Sequence, residues 1–298
     1  MFFRNLKVFR LTDGFSPSVE ALTENLSRGK FQPCGAMDTK STGWVPPIEN
    51  GALAHSVNKQ LLFTLCTEQK LLPGSVVRRA AQAKAKEIEA KEGRKPGRRE
   101  MREIAEGVTA ELLPRAFTSE RHTMVWIDPV NRWMVVDGSS ARADEVIEKL
   151  KLCLDELPLR GVRTTLSPSG AMTGWLASNE APASFTIDRD CELRSNAEEK
   201  ATVKYARHTL DGDEVRHHVE GGKAAIRLAM TWNDRVSFVL TESFEVKRIA
   251  FLDVIKEDTL RQAESAEELF DAEFVLMTGE LARLQSDLVA ALGGEAEA

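Results

Sequence analysis

Five residues, Gly93-Arg94-Lys95-Pro96-Gly97, constrain what this 298-residue chain can fold into more than any other segment. Proline cannot continue a helix interior and two glycines bracket it, so the segment is a turn. Residues 76–92 before it are rich in Ala, Lys, Glu and Arg and carry only a thin apolar face, which predicts a helix that projects instead of burying itself. After the turn, Met101, Ile104, Val108 and Leu112 recur at helical spacing and predict a second helix running to about residue 113. Two helices joined by so short a turn double back on each other. The expected element is a helical finger over 76–115 with a basic tip.

Charge is distributed unevenly along the chain. The total is −6, yet residues 76–102 hold ten Lys/Arg against four Glu, a local +6 that leaves −12 for everything else. Residues 249–298 hold three Lys/Arg against twelve Asp/Glu, a local −9. A polyanion responds to the face presented to it and not to the total, so a negative chain is compatible with DNA binding. Arg94, Lys95, Arg98 and Arg99 cluster within six residues, with Glu100 as the single acid expected to neutralise them. Sequence-independent phosphate contact needs only such a cluster; the alternative is a solvated helical face.

The rest reads as α+β. Leu6 to Leu11 alternate like a strand, Ser16-Pro17 offers an N-cap followed by Pro at a first helical position, and Gly29 closes that helix. Residues 60–66 form a second strand; 124–127 and 133–136 around Asp128-Pro129-Val130-Asn131 form a hairpin; Ser140 caps a helix to about 154. Further on come a helix at 172–176, a short element at 213–220 and a meander over 223–232, 235–240 and 246–251. Two acidic amphipathic helical stretches are expected between Ala263 and Leu292, ended by Gly293-Gly294. The expected organisation is a centre (1–75 plus 116–160), the finger (76–115) and a base (161–298). No run approaches the roughly eighteen apolar residues of a membrane span, and the N-terminus lacks a signal-peptide pattern, so a cytoplasmic location is expected.

Catalytic chemistry is hard to find. Neither Gly93–Gly97 nor Gly221-Gly222-Lys223-Ala224 completes a phosphate-cradling loop. Cys34, Cys66, Cys153 and Cys191 have no metal or redox spacing and read as buried free thiols. His217 and His218, near His208, sit adjacent on a helix and point about 100° apart, so no metal is expected there. One enzymatic alternative is a metal-dependent nuclease built on Asp234, Glu245 and Lys247; a charged strand edge accounts for the same residues. Another alternative is an interaction protein that contacts a protein partner through the acidic C-terminal face.

Several strings in order resemble the RdgC family along essentially the whole chain: Phe31-Gln32-Pro33-Cys34-Gly35, Gly43-Trp44-Val45-Pro46-Pro47, Lys70-Leu71-Leu72-Pro73, Leu112-Leu113-Pro114-Arg115-Ala116-Phe117 and Trp126-Ile127-Asp128. Phe270-Asp271, Met277-Thr278-Gly279-Glu280-Leu281 and Gly293-Gly294-Glu295 continue the match. The resemblance implies horseshoe monomers meeting tip-to-tip and base-to-base in a ring-shaped homodimer around double-stranded DNA, with single strands held more weakly. It implies inhibition of RecA-dependent recombination, support of replication forks and association with the nucleoid, with no reaction and no cofactor. By the same resemblance Phe117 packs across the tip-to-tip interface, Arg94 and Lys95 are the basic finger pair, and Arg207 and His208 contact DNA from the base. The family pattern has Lys then Gln at that last pair, and Pro96-Gly97 interrupts a stretch more continuously helical in relatives. Arg98 and Arg99 are then expected to take over phosphate contacts.

Overall fold

Alternation along the first strand sets the architecture. β1 (Leu6–Leu11) turns Leu6 and Val8 into one buried cluster and Phe9 and Leu11 into another, as its two-residue period requires. The strand is therefore central, with a core on each face. The computed structural model describes residues 2–12, 14–252 and 265–296, and within them twelve strands make one mixed sheet-and-helix fold. The others are β2 (Lys40–Val45), β3 (Ala54–Val57), β4 (Gln60–Lys70), β5 (Thr118–Asp128), β6 (Trp133–Asp137), β7 (Leu159–Gly161), β8 (Phe185–Ser195), β9 (Thr202–Tyr205), β10 (Lys223–Trp232), β11 (Val236–Thr241) and β12 (Glu245–Phe251). Their order is β2-β4-β5-β6-β1-β12-β11-β10-β8-β9, with β3 added to β4 and β7 to β1. The ladders between them are antiparallel, and Leu6 pairs with Asp137 on one edge and Val246 on the other, joining the two halves.

Seven helices lie among the described residues: α1 (Val19–Ser27), α2 (Gly74–Glu92), α3 (Arg98–Leu112), α4 (Ser140–Cys153), α5 (Pro168–Ser178), α6 (Asp213–Glu220) and α7 (Ala266–Ala291). One core places Leu22 and Leu26 of α1 and Val146 and Leu150 of α4 against Phe63, Leu65, Val125 and Ile127. The other places Met172, Val215, Phe274 and Leu281 of α5, α6 and α7 against Leu62, Trp126, Leu228 and Met230. Leu62 and Phe63 are neighbours in β4, so these cores occupy opposite sides of the sheet. Each fully buried apolar side chain stabilises the fold by about 1.5–3 kcal/mol.

Several local expectations shift. The first helix is capped by Ser18, whose hydroxyl accepts the Ala21 N–H at 3.2 Å, and not by Ser16. The cap of α4 is Ser139, one residue early. The acidic end is one helix where two were expected: Phe274, Met277, Leu281, Leu284 and Leu288 form an unbroken stripe at three- and four-residue steps, which holds a single long helix on the sheet. Ala263, where the first stretch was expected to start, lies outside the described residues. Cys34 is half-buried, whereas Cys66, Cys153 and Cys191 are buried as expected. No helix among the described residues is long and apolar enough to cross a membrane.

Three of the six acids of α7 are spent inward. Glu280, 1% exposed, accepts from Arg235 at 2.7 and 3.0 Å and from Arg283 at 2.6 Å. The Trp232 indole N–H donates to Asp287 at 2.8 Å, and His55 meets Asp271 at 2.7 Å. These bonds tie the helix to its own sheet and take those carboxylates out of any acidic docking face.

Candidate nucleic-acid interface

The finger grows from an ordinary strand pair. β4 and β5 are in register from Leu61 opposite Ile127 to Lys70 opposite Thr118, and the Leu71 N–H donates to the Phe117 carbonyl at 2.7 Å. α2 and α3 are thus an elaborated loop of one hairpin. Gly93 ends α2 with φ +71°, a backbone state that glycine adopts without strain. The Gly97 N–H then donates to the Glu100 carboxylate at 3.3 Å, starting α3. Ala81, Val108 and Leu113 are the buried apolar side chains of this hairpin. At about 1.5 Å rise per residue, α2 carries the turn roughly 28 Å from its root.

The turn is basic and solvated, with more acidic neighbours than expected. Besides Glu100, Glu92 lies 2.7 Å from Arg94, Glu89 lies 3.9 Å from Lys95 and Glu103 lies 3.1 Å from Arg99. The turn folds the last residues of α2 back beside it, and the four-residue helical step supplies Glu103. Hydrogen bonding to Glu100, followed by the charges of Glu100 and Glu92, raises the Arg94 pKa; the Arg94 bond in turn lowers that of Glu100. Arg98 has no ion-pair partner among the described residues. Lys95 and Arg99 are 83% and 95% exposed, and exposed ion pairs are weak enough for a phosphate to replace the carboxylate.

Phe117 lies at the root of the finger, not at its basic end. It is 83% exposed, and Leu71, its cross-strand neighbour on the same face, is 55% exposed.

Arg207 and His208 follow β9, at the opposite edge of the sheet from β2 and β4. Both are exposed. Arg207 holds φ +55° while its N–H donates to Asp190 at 2.7 Å; the His208 ring bonds the Thr209 carbonyl through Nδ1 at 2.7 Å. Beside them a cavity of about 250 Å³ opens among Asp190, Lys204, Tyr205, Arg227, Lys247 and Arg248. Arg227 and Lys247 alternate with core residues Leu228 and Val246, so they point away from α5, α6 and α7. Sequence reasoning named Lys247 only within the nuclease alternative and missed Lys204, Arg227 and Arg248. For Arg227 the signal was a single basic residue inside the otherwise apolar run of β10.

The carboxylates of the nuclease alternative are not brought together. Val236 pairs with Phe251 and Leu240 with Val246, so Asp234 and Glu245 lie at opposite ends of the β11–β12 ladder, roughly 20 Å apart at strand rise. Glu245 is buried and accepts from Ser140 at 2.5 Å, with the Lys247 ammonium at 2.6 Å. Burial pushes its carboxyl up, but Lys247, Ser140 and Lys7 outweigh that and leave it below the ordinary range. His217 and His218 have ring centroids 6.5 Å apart, and of the two only the His218 ring packs near Tyr205, at 6.3 Å. The structure instead gathers Cys66, Glu120 and His122, whose ligand atoms all lie within 4.8 Å of one another.

A broad antiparallel sheet, cored on both faces and extended by a basic helical hairpin, defines a mixed α/β protein whose candidate interface is built from cations. The chain belongs to the RdgC family, whose model, described as "Putative exonuclease, RdgC", matches residues 1–295. It is 54% identical over 298 residues to the recombination-associated protein RdgC of Janthinobacterium sp. (strain Marseille), covering 100% of this chain and 99% of that one. The proteins of the same name from Herminiimonas arsenicoxydans and Bordetella pertussis (strain Tohama I) are 53% and 51% identical over 296 residues, each covering 99% of both chains. These relatives are named for recombination and not for an enzymatic reaction.

Proposed function

We propose that this protein binds duplex DNA without sequence preference, and single strands more weakly, and that it restrains RecA-dependent recombination by occupying the DNA. In this reading each chain is a horseshoe of centre (1–75 and 116–160), finger (76–115) and base (161–298). Two chains close a ring around the duplex, through Phe117 at the root of the finger and base-to-base. The protein works in the cytoplasm on the nucleoid and supports replication forks. The observation that carries this reading is the exposed basic turn, Arg94, Lys95, Arg98 and Arg99, held about 28 Å from the sheet by two helices with little apolar surface to bury. The second basic group around Arg207, Lys204 and Arg248 supports it, as does an aromatic side chain left exposed at Phe117.

Binding instead of hydrolysis is favoured by the separation of Asp234 from Glu245, although the family description names an exonuclease. A mobility-shift series with unrelated duplexes at several salt concentrations, with and without magnesium, tests both. Six phosphate contacts give a log–log salt slope of about −5, with similar affinity for every sequence and intact DNA at the end. A thousandfold preference for one sequence overturns nonspecific binding. Magnesium-dependent cutting that disappears in Glu245→Ala restores the nuclease.

A further inference from the structure

We infer that Cys66, Glu120 and His122 form a site for a zinc-class divalent cation that clips β4 to β5 at the root of the finger. Cys66 and His122 are direct cross-strand partners, and Glu120 stands two residues before His122 on the same face. Their sulfur, nitrogen and oxygen atoms lie within 4.8 Å of one another. In a tetrahedral site with metal–ligand bonds of about 2.0–2.3 Å the same atoms stand roughly 3.5 Å apart. Closing the difference asks about an ångström of movement, and Glu120 and His122 are exposed side chains free to make it.

Two further observations point the same way. The Cys66 thiol and the Glu120 and His122 side chains have no hydrogen-bond or ion-pair partner among the described residues, so ligation breaks none. The neighbouring carboxylate, Glu68, already accepts the Cys34 N–H at 2.5 Å, which leaves the fourth position to water.

The ligand chemistry selects the ion. A thiolate with one imidazole and one carboxylate suits zinc or cobalt and disfavours magnesium and calcium, which take oxygen. The position gives the site a consequence: it joins the two strands a few residues before they part into α2 and α3, so a bound ion stiffens the hinge from which the finger projects.

The test uses the full chain, stripped with chelator, dialysed against zinc and analysed for metal content, with cobalt(II) as the spectroscopic probe. One ion per chain is expected, with a thiolate-to-cobalt charge-transfer band that Cys66→Ser abolishes. His122→Ala should weaken zinc binding at least about 100-fold, since even outer-shell partners cost 10–100-fold. Cys153→Ser and Cys191→Ser should bind as the unaltered protein does. Circular dichroism checks that each variant folds, and zinc should slow hydrogen exchange in β4 and β5. Absence of stoichiometric zinc, or a cobalt band that survives Cys66→Ser, overturns the site whatever the outcome of the DNA experiments.

Discussion

Arg94 grips Glu100 at two points, its Nη1 and Nη2 lying 2.8 and 3.2 Å from the two carboxylate oxygens. The same carboxylate accepts the Gly97 N–H, so one acid both caps α3 and masks the leading cation of the turn. Glu100→Gln keeps an oxygen for Gly97 and removes the charge that competes with phosphate. It should therefore tighten duplex binding several-fold at low salt and steepen the salt slope toward one additional contact, about 0.9. Weaker binding in a duplex titration would mean that the geometry of the turn matters more than its charge.

Arg98 gives the sharper single-site test, because it has no acidic partner among the described residues. Arg98→Glu should weaken binding to all duplex sequences alike and flatten the slope by about 0.9, and reversing Arg94, Lys95, Arg98 and Arg99 together by up to about 3.6. Thermal stability should scarcely change, since these side chains are exposed. An unchanged slope in the fourfold variant would reduce the finger to a solvated arm.

The finger could be read from sequence because Pro96 and the two glycines leave one local solution, and the meander because its apolar runs alternate between turns. Cap positions slipped by one or two residues, since Ser16, Ser18, Ser139 and Ser140 offer similar chemistry and only the docking of the helix decides among them. The single α7 was missed because its unity rests on an apolar stripe whose partner is the sheet. The sheet-face cations and the Cys66–His122 pair were hidden more deeply. Residues 66 and 122 meet only when β4 and β5 pair across the inserted finger, a register that no local spacing encodes.

Glu245 makes stability depend on pH. Its carboxyl is held below the ordinary range by Lys247 and Ser140 against the opposing effect of burial. A folded value below the unfolded one, about 4.3, contributes stability that is full above that value and is lost as pH falls through the folded one. Glu245→Gln keeps an acceptor for Ser140 but loses the charge. Urea denaturation should show it less stable by on the order of 1 kcal/mol at neutral pH, with the gap closing below about pH 4. A gap that stays constant down to pH 3 would assign the loss to packing.

In the proposed ring, Phe117 separates what folds the chain from what assembles it. At 83% exposure its side chain contributes little to the isolated chain, so Phe117→Ser should leave the unfolding midpoint nearly unchanged, within about 0.5 kcal/mol. If two copies bury this side chain against each other, each contributes about 1.5–3 kcal/mol. Loss of both then weakens that contact by two or more powers of ten, at about 1.4 kcal/mol per tenfold. Sedimentation should show the variant still paired through the base yet releasing DNA at moderate salt. Leu71, the exposed cross-strand neighbour of Phe117, offers the position for a covalent gate. Leu71→Cys in a background with serine at Cys34, Cys66, Cys153 and Cys191 allows two copies that meet at Phe117 to be joined by oxidation. Oxidised before mixing, such a ring should fail to load on closed circular duplex and still thread linear ends. Oxidised afterwards, it should stay on the circle through high salt until the DNA is cut. Equal loading on circles in both orders would show that DNA does not pass this contact, and salt release from an intact circle would show that the duplex is not encircled.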